Sequence, residues 1–272
     1  MLLNSISVAT ITRARDPREE SLIARTLNAL SNLGIPVVVA DGGSPAAFLD
    51  RLSRIPQLTL TPPDHPGLVG QIKASVRMAR ESGSAYVLYL ESDKELFVSG
   101  PMTNFIESAI AEPDTGVILA SRSRHSFETF PPFQRRIESA FNTVASDVIG
   151  LGADYLYGPF LMEHSVAAHV EGVAADVGWG WRPFIFATTR RLGRRVGAIE
   201  GDYVCPSDQA NEDDEDRLHR LRQLRQNIDG LTNAVATRGR EVTGSRAEDP
   251  GGSVVSRLVW EPEDQTRHDP ER

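Results

Sequence analysis

Two carboxylates separated by one residue follow a short apolar segment in the first half of the chain. Residues 85–90 are apolar or aromatic, and Glu91, Ser92 and Asp93 come directly after them. A short apolar run with polar ends is typical of a strand buried in a parallel sheet. Ligands of open α/β sheets bind at the carboxyl ends of the strands. There, Glu91 and Asp93 are suited to hold Mg²⁺ or Mn²⁺ and, through it, a diphosphate. The alternative is a solvated acidic turn.

The elements that must position this loop alternate between strand and helix patterns. Over the first 95 residues we predict strands at 6–11, 36–40, 58–61 and 85–90, with helices at 21–33, 46–54 and 67–80 between them. Such alternation at short intervals favours parallel strands joined by right-handed crossovers. The fold class is therefore predicted as α/β, with a mostly parallel, Rossmann-like sheet flanked by helices.

Later elements complete a three-part organisation. Further helices are predicted at 102–111, 135–149, 165–171 and 181–192, and further strands at 115–121 and 196–204. We expect a catalytic domain at 1–206 and a charged linker with an amphipathic helix, at about 217–235, within 207–237. The remaining 238–272 has little apolar content, so we expect a largely disordered tail.

The composition of the chain limits the classes of function that it can have. A net charge of -8 argues against nucleic-acid binding, whereas the basic stretches 122–136 and 182–195 suggest a small anionic ligand. The apolar runs are far shorter than the roughly 20 residues of a membrane span. A single cysteine, Cys205, and a first segment unlike a signal peptide favour a cytoplasmic protein. The oligomeric state stays open.

The order of motifs resembles that of a known enzyme class. A strand, a helix and a strand ending in ADGGS, followed later by a strand ending in ESD, is similar to GT-A glycosyltransferases of the family 2 type. The resemblance covers residues 5–205 and implies a nucleotide-diphosphate-sugar donor. It implies that Asp41 binds the nucleobase and that Glu91 and Asp93 hold the metal. It also places Arg13, Lys73, and Ser92 with Asp93 at the nucleotide sugar, although Lys73 is equally compatible with a solvated surface.

A second set of residues resembles the acceptor side of polyprenyl-phosphate sugar transferases of that family. The set consists of Arg122, Arg135, Ser139, Asn142 and Asp154, in that order. In those relatives the arginines and the serine bind the acceptor's phosphate. Because Arg135 and Ser139 are four residues apart, they lie on the same helical face, which supports an anion clamp. The resemblance implies a small or lipid-linked acceptor and allows peripheral contact with a membrane.

Candidate catalytic groups lie in the same half. If the acceptor is a hydroxyl compound, a carboxylate must remove its proton, and the resemblance offers Asp176 or Asp154. If the acceptor is a phosphate, no strong base is needed. Asp154 could instead cap a turn. Trp179 and Trp181 could stack on a sugar, although packing at the sheet edge is the commoner use of tryptophan.

These observations favour a glycosyltransferase over two other classes. A sugar-phosphate nucleotidylyltransferase shares the fold, but it carries a glycine-rich loop after its first strand, where this chain has TRARD and no glycine. A non-catalytic nucleotide-sugar-binding module is the remaining alternative, favoured by Glu91 in place of the usual aspartate and by Lys94 directly after the loop.

Overall fold

The computed structural model describes residues 2–236, which contain one seven-stranded sheet in the order β3-β2-β1-β4-β6-β5-β7. All neighbouring strands run parallel except β6, which runs antiparallel to both β4 and β5. The strands are β1 Ile6–Thr12, β2 Val37–Asp41, β3 Leu58–Thr61, β4 Tyr86–Tyr89, β5 Thr115–Arg122, β6 Phe160–Glu163 and β7 Arg195–Gly201. The predicted α/β class with a mostly parallel sheet is confirmed.

Ten α-helices accompany the sheet in the described part of the chain. They are α1 Pro17–Asn32, α2 Ala46–Leu52, α3 Leu68–Glu81, α4 Glu95–Ser99, α5 Met102–Ala111, α6 Arg124–Glu128, α7 Pro132–Ile149, α8 His164–Ala167, α9 Trp181–Arg191 and α10 Asp214–Ala236. Helix α1 begins earlier than the apolar spacing indicates. The reason is that Asp16 caps it by accepting from the backbone N–H groups of Arg18 and Glu19. No helix within residues 2–236 combines the length and the hydropathy that crossing a membrane requires.

Each face of the sheet carries its own hydrophobic core. Successive residues of a strand point to opposite faces, so Val37 and Val39 pack with α1, α2, α4 and α5, whereas Val38 packs with α3, α7, α9 and α10. Because both faces are covered, most residues in the strands are apolar, and the buried polar ones, such as Ser7 and Thr10 of β1, are small. Only the strand ends and their loops remain for polar chemistry.

Strand β6 is the one strand of the described sheet that the sequence analysis missed, and the short helices α4 and α6 were not predicted either. The strand has only four residues, of which Phe160, Leu161 and Met162 are buried, and it follows Gly158 and Pro159 directly. Its pairing places Phe160 opposite Tyr89 of β4. The segment entering β6 therefore lies beside the carboxyl end of β4, where residues 91–93, the ESD loop, begin.

Helix α10 confirms the predicted C-terminal helix and packs on α7 and α9. Its contact is close because Gly230 has no side chain: a Cβ there would overlap the backbone of Gly180. Leu231 and Ala234 are buried, whereas Leu218 and Leu221 of the predicted apolar stripe are exposed. The expected tail, 238–272, lies outside the described residues.

Candidate functional site

The carboxyl ends of β1 and β2 are joined through one carboxylate. Thr12 and Asp41 are register partners, and the Thr12 hydroxyl donates to Asp41 Oδ2 over 2.8 Å. The Ser44 hydroxyl donates to the same oxygen over 2.5 Å, while the N–H groups of Gly43 and Ser44 donate to Oδ1 over 2.8 Å each. Asp41 thus accepts four hydrogen bonds from the protein itself, and it holds the turn that follows β2.

A cavity of about 800 Å³ opens between this turn and the loop of residues 61–67. That volume lies within the usual range for a small-molecule site. The loop is fastened to α3, because the N–H of Asp64 donates to the carbonyl of Gly70 over 3.1 Å and the Asp64 carboxylate pairs with Arg77. The hydrogen bond from Arg77 lowers the pKa of Asp64. The cavity therefore has walls that are set before any ligand binds.

One polar side chain in this cavity lacks a partner. Gln71 of α3 lines the cavity and is buried, and its Oε1 has no hydrogen-bond partner in the described structure. Its amide lies against Gly42, where a Cβ would approach Nε2 to 2.5 Å. Since buried polar atoms are nearly always hydrogen-bonded in native proteins, this oxygen points to a missing partner.

The two carboxylates of the ESD loop lie in different environments. Glu91 Oε1 accepts from Arg182 Nη1 of α9 over 2.9 Å, and Glu91 Oε2 is buried and has no partner among residues 2–236. Ser92 is buried and Asp93 is exposed. Oxygen donors of this kind fit a hard divalent cation. No cluster of three or more metal-binding side chains occurs within residues 2–236, so a cation here would need oxygens from a ligand as well.

The two tryptophans before α9 are placed differently. Trp181 is fully buried, with its ring centroid 4.7 Å from that of Tyr89 and 5.4 Å from that of Phe160. It belongs to the core and offers no face to a sugar, which corrects the stacking role expected for it. Trp179 is half-buried, and the Arg182 guanidinium lies 5.1 Å from its ring centroid.

Arg122, expected to bind the acceptor's phosphate, is instead at the centre of a buried ion-pair network. Its Nε donates to Asp154 and its Nη2 to Glu138, each over 2.5 Å. The guanidinium also lies 4.7 Å from the ring centroid of Phe127 and 4.2 Å from that of Phe130. The side chain of Arg122 is only 1% exposed. This arrangement leaves no access for a phosphate, so the expectation for Arg122 does not fit the structure.

Asp154 is similarly committed to the protein. It accepts from Asn142 Nδ2 over 3.1 Å as well as from Arg122. Burial alone raises the pKa of a carboxyl, but the charge of Arg122 and these hydrogen bonds outweigh it and lower the pKa of Asp154. A buried carboxylate with a lowered pKa is a poor proton acceptor, which argues against Asp154 as a general base.

The other predicted residues keep surface or half-buried positions. Arg13 follows β1 and is exposed, and Lys73 on α3 is half-buried. On α7, Ser139 is exposed, while Arg135 is half-buried and its Nε is a buried atom without a partner in the described structure. Asp176 is exposed in the loop before α9.

Two residues of interest escaped the sequence analysis. Arg182 stands beside the ESD loop, although 91 positions separate it from Glu91. Gln71 lies in the cavity wall two positions before Lys73. The sequence signals were the GWGW segment before Arg182, the basic stretch that begins at Arg182, and the proximity of Gln71 to a predicted nucleotide contact.

Comparison with known proteins rests on structure. No protein-family model matches the sequence, and no curated protein matches it. A mycobacterial protein of solved structure is 15% identical, with a TM-score of 0.62 over 94% of this chain and 84% of that one. Glucosyl-3-phosphoglycerate synthase from Mycobacterium tuberculosis, in complex with Mn²⁺, uridine diphosphate and phosphoglyceric acid, is 14% identical, with a TM-score of 0.59 over 88% of this chain and 81% of that one. The same enzyme with Mg²⁺ and uridine diphosphate gives a TM-score of 0.60 at 14% identity, over 89% and 85% of the two chains.

At this level of identity the likeness concerns the fold. The matches extend over both the parallel half of the sheet and the half that contains the antiparallel strand. Glucosyl-3-phosphoglycerate synthase is a glycosyltransferase of the kind that the ADGGS and ESD segments indicated. The chain therefore has the GT-A glycosyltransferase fold.

Proposed function

We propose that this protein is a glycosyltransferase that moves a sugar from a nucleotide-diphosphate donor to a phosphate-bearing acceptor. The observation that carries the proposal is the position of the cavity. It opens at the carboxyl end of β2 in a GT-A fold, on the sheet edge that also bears the ESD loop. This is the edge at which open α/β sheets bind nucleotides.

On the donor side, the nucleoside would occupy the cavity and the diphosphate would lie toward the ESD loop. Arg13 and Lys73 supply positive charge near this edge, and Lys94 follows the loop with its ammonium 5.1 Å from the ring centroid of Tyr157. A diphosphate carries several negative charges, so such cations favour its binding. The neighbouring enzyme binds uridine diphosphate, which supports a donor of this class.

The donor set supports a divalent cation at the ESD loop. The exposed carboxylate of Asp93 and the unpartnered Oε2 of Glu91 would hold it, with the remaining oxygens from the diphosphate. When bound, Mg²⁺ or Mn²⁺ neutralises the charge that develops on a diphosphate leaving group. Arg182 keeps the other oxygen of Glu91 in place.

On the acceptor side, Arg135 and Ser139 are the residues we assign to the phosphate. Both lie on α7 four positions apart, and the buried Nε of Arg135 lacks a partner in the described structure. The neighbouring enzyme in complex with phosphoglyceric acid supports an acceptor with this group. Asp176, which is exposed before α9, is the carboxylate we assign to proton removal if the acceptor reacts through a hydroxyl.

A second candidate function is nucleotide-sugar binding without transfer. The observation favouring it is the Glu91–Arg182 ion pair, which engages one of the two loop carboxylates. Turnover separates the two functions. We expect the protein to release nucleoside diphosphate from a nucleotide sugar in the presence of Mn²⁺, and to do so faster when 3-phosphoglycerate or another phosphorylated acceptor is added. Binding without release under any of these conditions would favour the second function.

A further inference from the structure

The nucleobase-reading group in the cavity need not be the aspartate that the motif suggests. Asp41 has the position expected of such a group, but all of its accepting capacity is taken up by Thr12 of β1 and by its own turn. Each oxygen receives two hydrogen bonds, and a carboxylate oxygen has two lone-pair sites. A nucleobase that bound to Asp41 would have to displace a hydrogen bond that maintains the end of β2.

Gln71 shows the opposite condition. It is 8% exposed, it lines the same cavity, and its Oε1 has no partner in the described structure. An amide presents an acceptor and a donor side by side, whichever way its terminal group is rotated. We propose that Gln71, rather than Asp41, recognises the nucleobase of the donor, through an edge that offers an N–H donor next to a carbonyl acceptor. This inference rests on the proposed function.

The chemistry of that edge defines the ligand class. Uracil offers N3–H beside O4, and guanine offers N1–H beside O6; either edge can make two hydrogen bonds with the Gln71 amide. Gly42 leaves the room that the amide occupies, because its missing Cβ would approach Gln71 Nε2 to 2.5 Å. Asp41 then acts as a positioning residue, since it orders the turn that contains Gly42.

The test exchanges the donor–acceptor amide for an acceptor-only carboxylate. In Gln71→Glu the side chain can accept from two N–H groups of guanine, N1–H and the amino group, but it meets a carbonyl when it faces uracil. We expect the ratio of the dissociation constants for GDP and UDP to fall about tenfold or more relative to wild type, as measured by calorimetry. The ratio removes the general repulsion between the new charge and a diphosphate. Gln209→Glu, at an exposed site that does not line the cavity, is the matched control and should leave the ratio unchanged.

Two further variants separate the alternatives. Gln71→Ala should weaken UDP binding about tenfold while inorganic pyrophosphate binds as before, and Gly42→Ala should act in the same direction by displacing the amide. Asp41→Asn should lower the melting temperature and weaken all nucleotides by the same factor. If the Gln71 variants keep wild-type affinity and base preference while Asp41→Asn changes the preference, Asp41 reads the base and our inference is overturned. If the wild type binds neither UDP nor GDP, the inference fails, and if it binds no nucleoside diphosphate at all, the proposed function fails as well.

Discussion

Two groups of polar residues surround the carboxyl edge of the sheet, and they differ in how completely they are partnered. In the cavity wall and the ESD loop, Gln71 Oε1 and Glu91 Oε2 are buried atoms that lack a partner in the described structure, and Asp93 is exposed. Around Arg122, the charges are buried and satisfied, with two carboxylates and several aromatic rings against one guanidinium. The first group is prepared for a ligand, whereas the second completes its interactions within the protein.

The comparison shows that residue type and order do not separate binding residues from structural ones. Arg122 and Arg135 belong to the same ordered set in the sequence. In the structure, Arg122 is paired with Asp154 and Glu138, while Arg135 keeps a buried nitrogen without a partner in the described residues. Within this ordered set, unsatisfied hydrogen-bonding capacity therefore distinguishes the two arginines, whereas residue type and order do not. The following experiments test the distinction.

The largest effect is expected on stability. Arg122→Met removes the guanidinium and leaves Asp154 and Glu138 as buried carboxylates without their partner, which costs about 3–5 kcal/mol. Urea denaturation should show this loss of unfolding free energy. Arg124→Met is the matched control, because Arg124 pairs with Glu128 at the surface and should change the stability little. If Arg122→Met left the stability unchanged but impaired the use of the acceptor, Arg122 would be a binding residue rather than a structural one.

The second effect concerns ligand-dependent stability. Asp93 is exposed, so Asp93→Ala should leave the melting temperature of the free protein nearly unchanged. A nucleotide present at 100 times its dissociation constant stabilises a protein by about 2.7 kcal/mol. We expect Asp93→Ala to lose the part of this stabilisation that depends on Mn²⁺. Thermal denaturation with UDP, with and without Mn²⁺, measures it.

A loss of stability in the free Asp93→Ala protein would change the role assigned to Asp93. If the free Asp93→Ala protein melted many degrees lower than the wild type, Asp93 would belong with the structural group around Arg122.

The third effect separates binding of the donor from use of the acceptor. A charge-assisted hydrogen bond contributes about 1.5–3 kcal/mol, so Arg135→Ala should reduce transfer to a phosphorylated acceptor about ten- to a hundred-fold. UDP affinity, measured by calorimetry without acceptor, should stay within a few-fold of wild type. Arg136→Ala is a suitable control, since Arg136 is its exposed neighbour on α7. Equal losses of donor binding and transfer would place Arg135 on the nucleotide side.

The smallest effect is a pH dependence of the buried network. The pKa of Asp154 is lowered in the folded protein, so its contribution to stability is fully present above about pH 3.8, the ordinary value for aspartate. As the pH falls below that value, the unfolded chain binds a proton that the folded protein excludes, and this contribution declines by at most about 1.4 kcal/mol per pH unit. The stability difference between wild type and Asp154→Asn should therefore be constant between pH 5 and 7 and shrink below about pH 3.8. A difference that grew on acidification would contradict the pairing.

Much of the fold followed from sequence patterns, because apolar runs and helical spacing are local properties. Strands β1 to β5 and β7 lie where those patterns predicted them. Strand β6 did not emerge, since four residues after a Gly-Pro pair give no periodicity, and strand direction depends on the partner. The predicted helix at 165–171 is shorter: α8 ends at Ala167 and a 3-10 turn continues the chain.

For the candidate site, the sequence indicated which loops would meet but not which atoms would be free. Asp41 and the ESD loop do lie at the same edge of the sheet. The saturation of Asp41 depends on Thr12, which is 29 positions away, and the burial of Arg122 depends on Asp154, 32 positions away. Such pairings arise from tertiary packing, and they cannot be inferred from the spacing of residues along the chain.

Strand β6 lies inside the sheet, between β4 and β5, and this position matters while the chain is being synthesised. While the first 95 residues emerge from the ribosome, β1 to β4 can pair, but β4 has no neighbour on its other side until residues 160–163 follow. An unpaired edge strand is a site for association with other chains. The nascent protein therefore carries this edge through the synthesis of more than sixty further residues, and the short length of β4, four residues, limits what another chain could pair with in that interval.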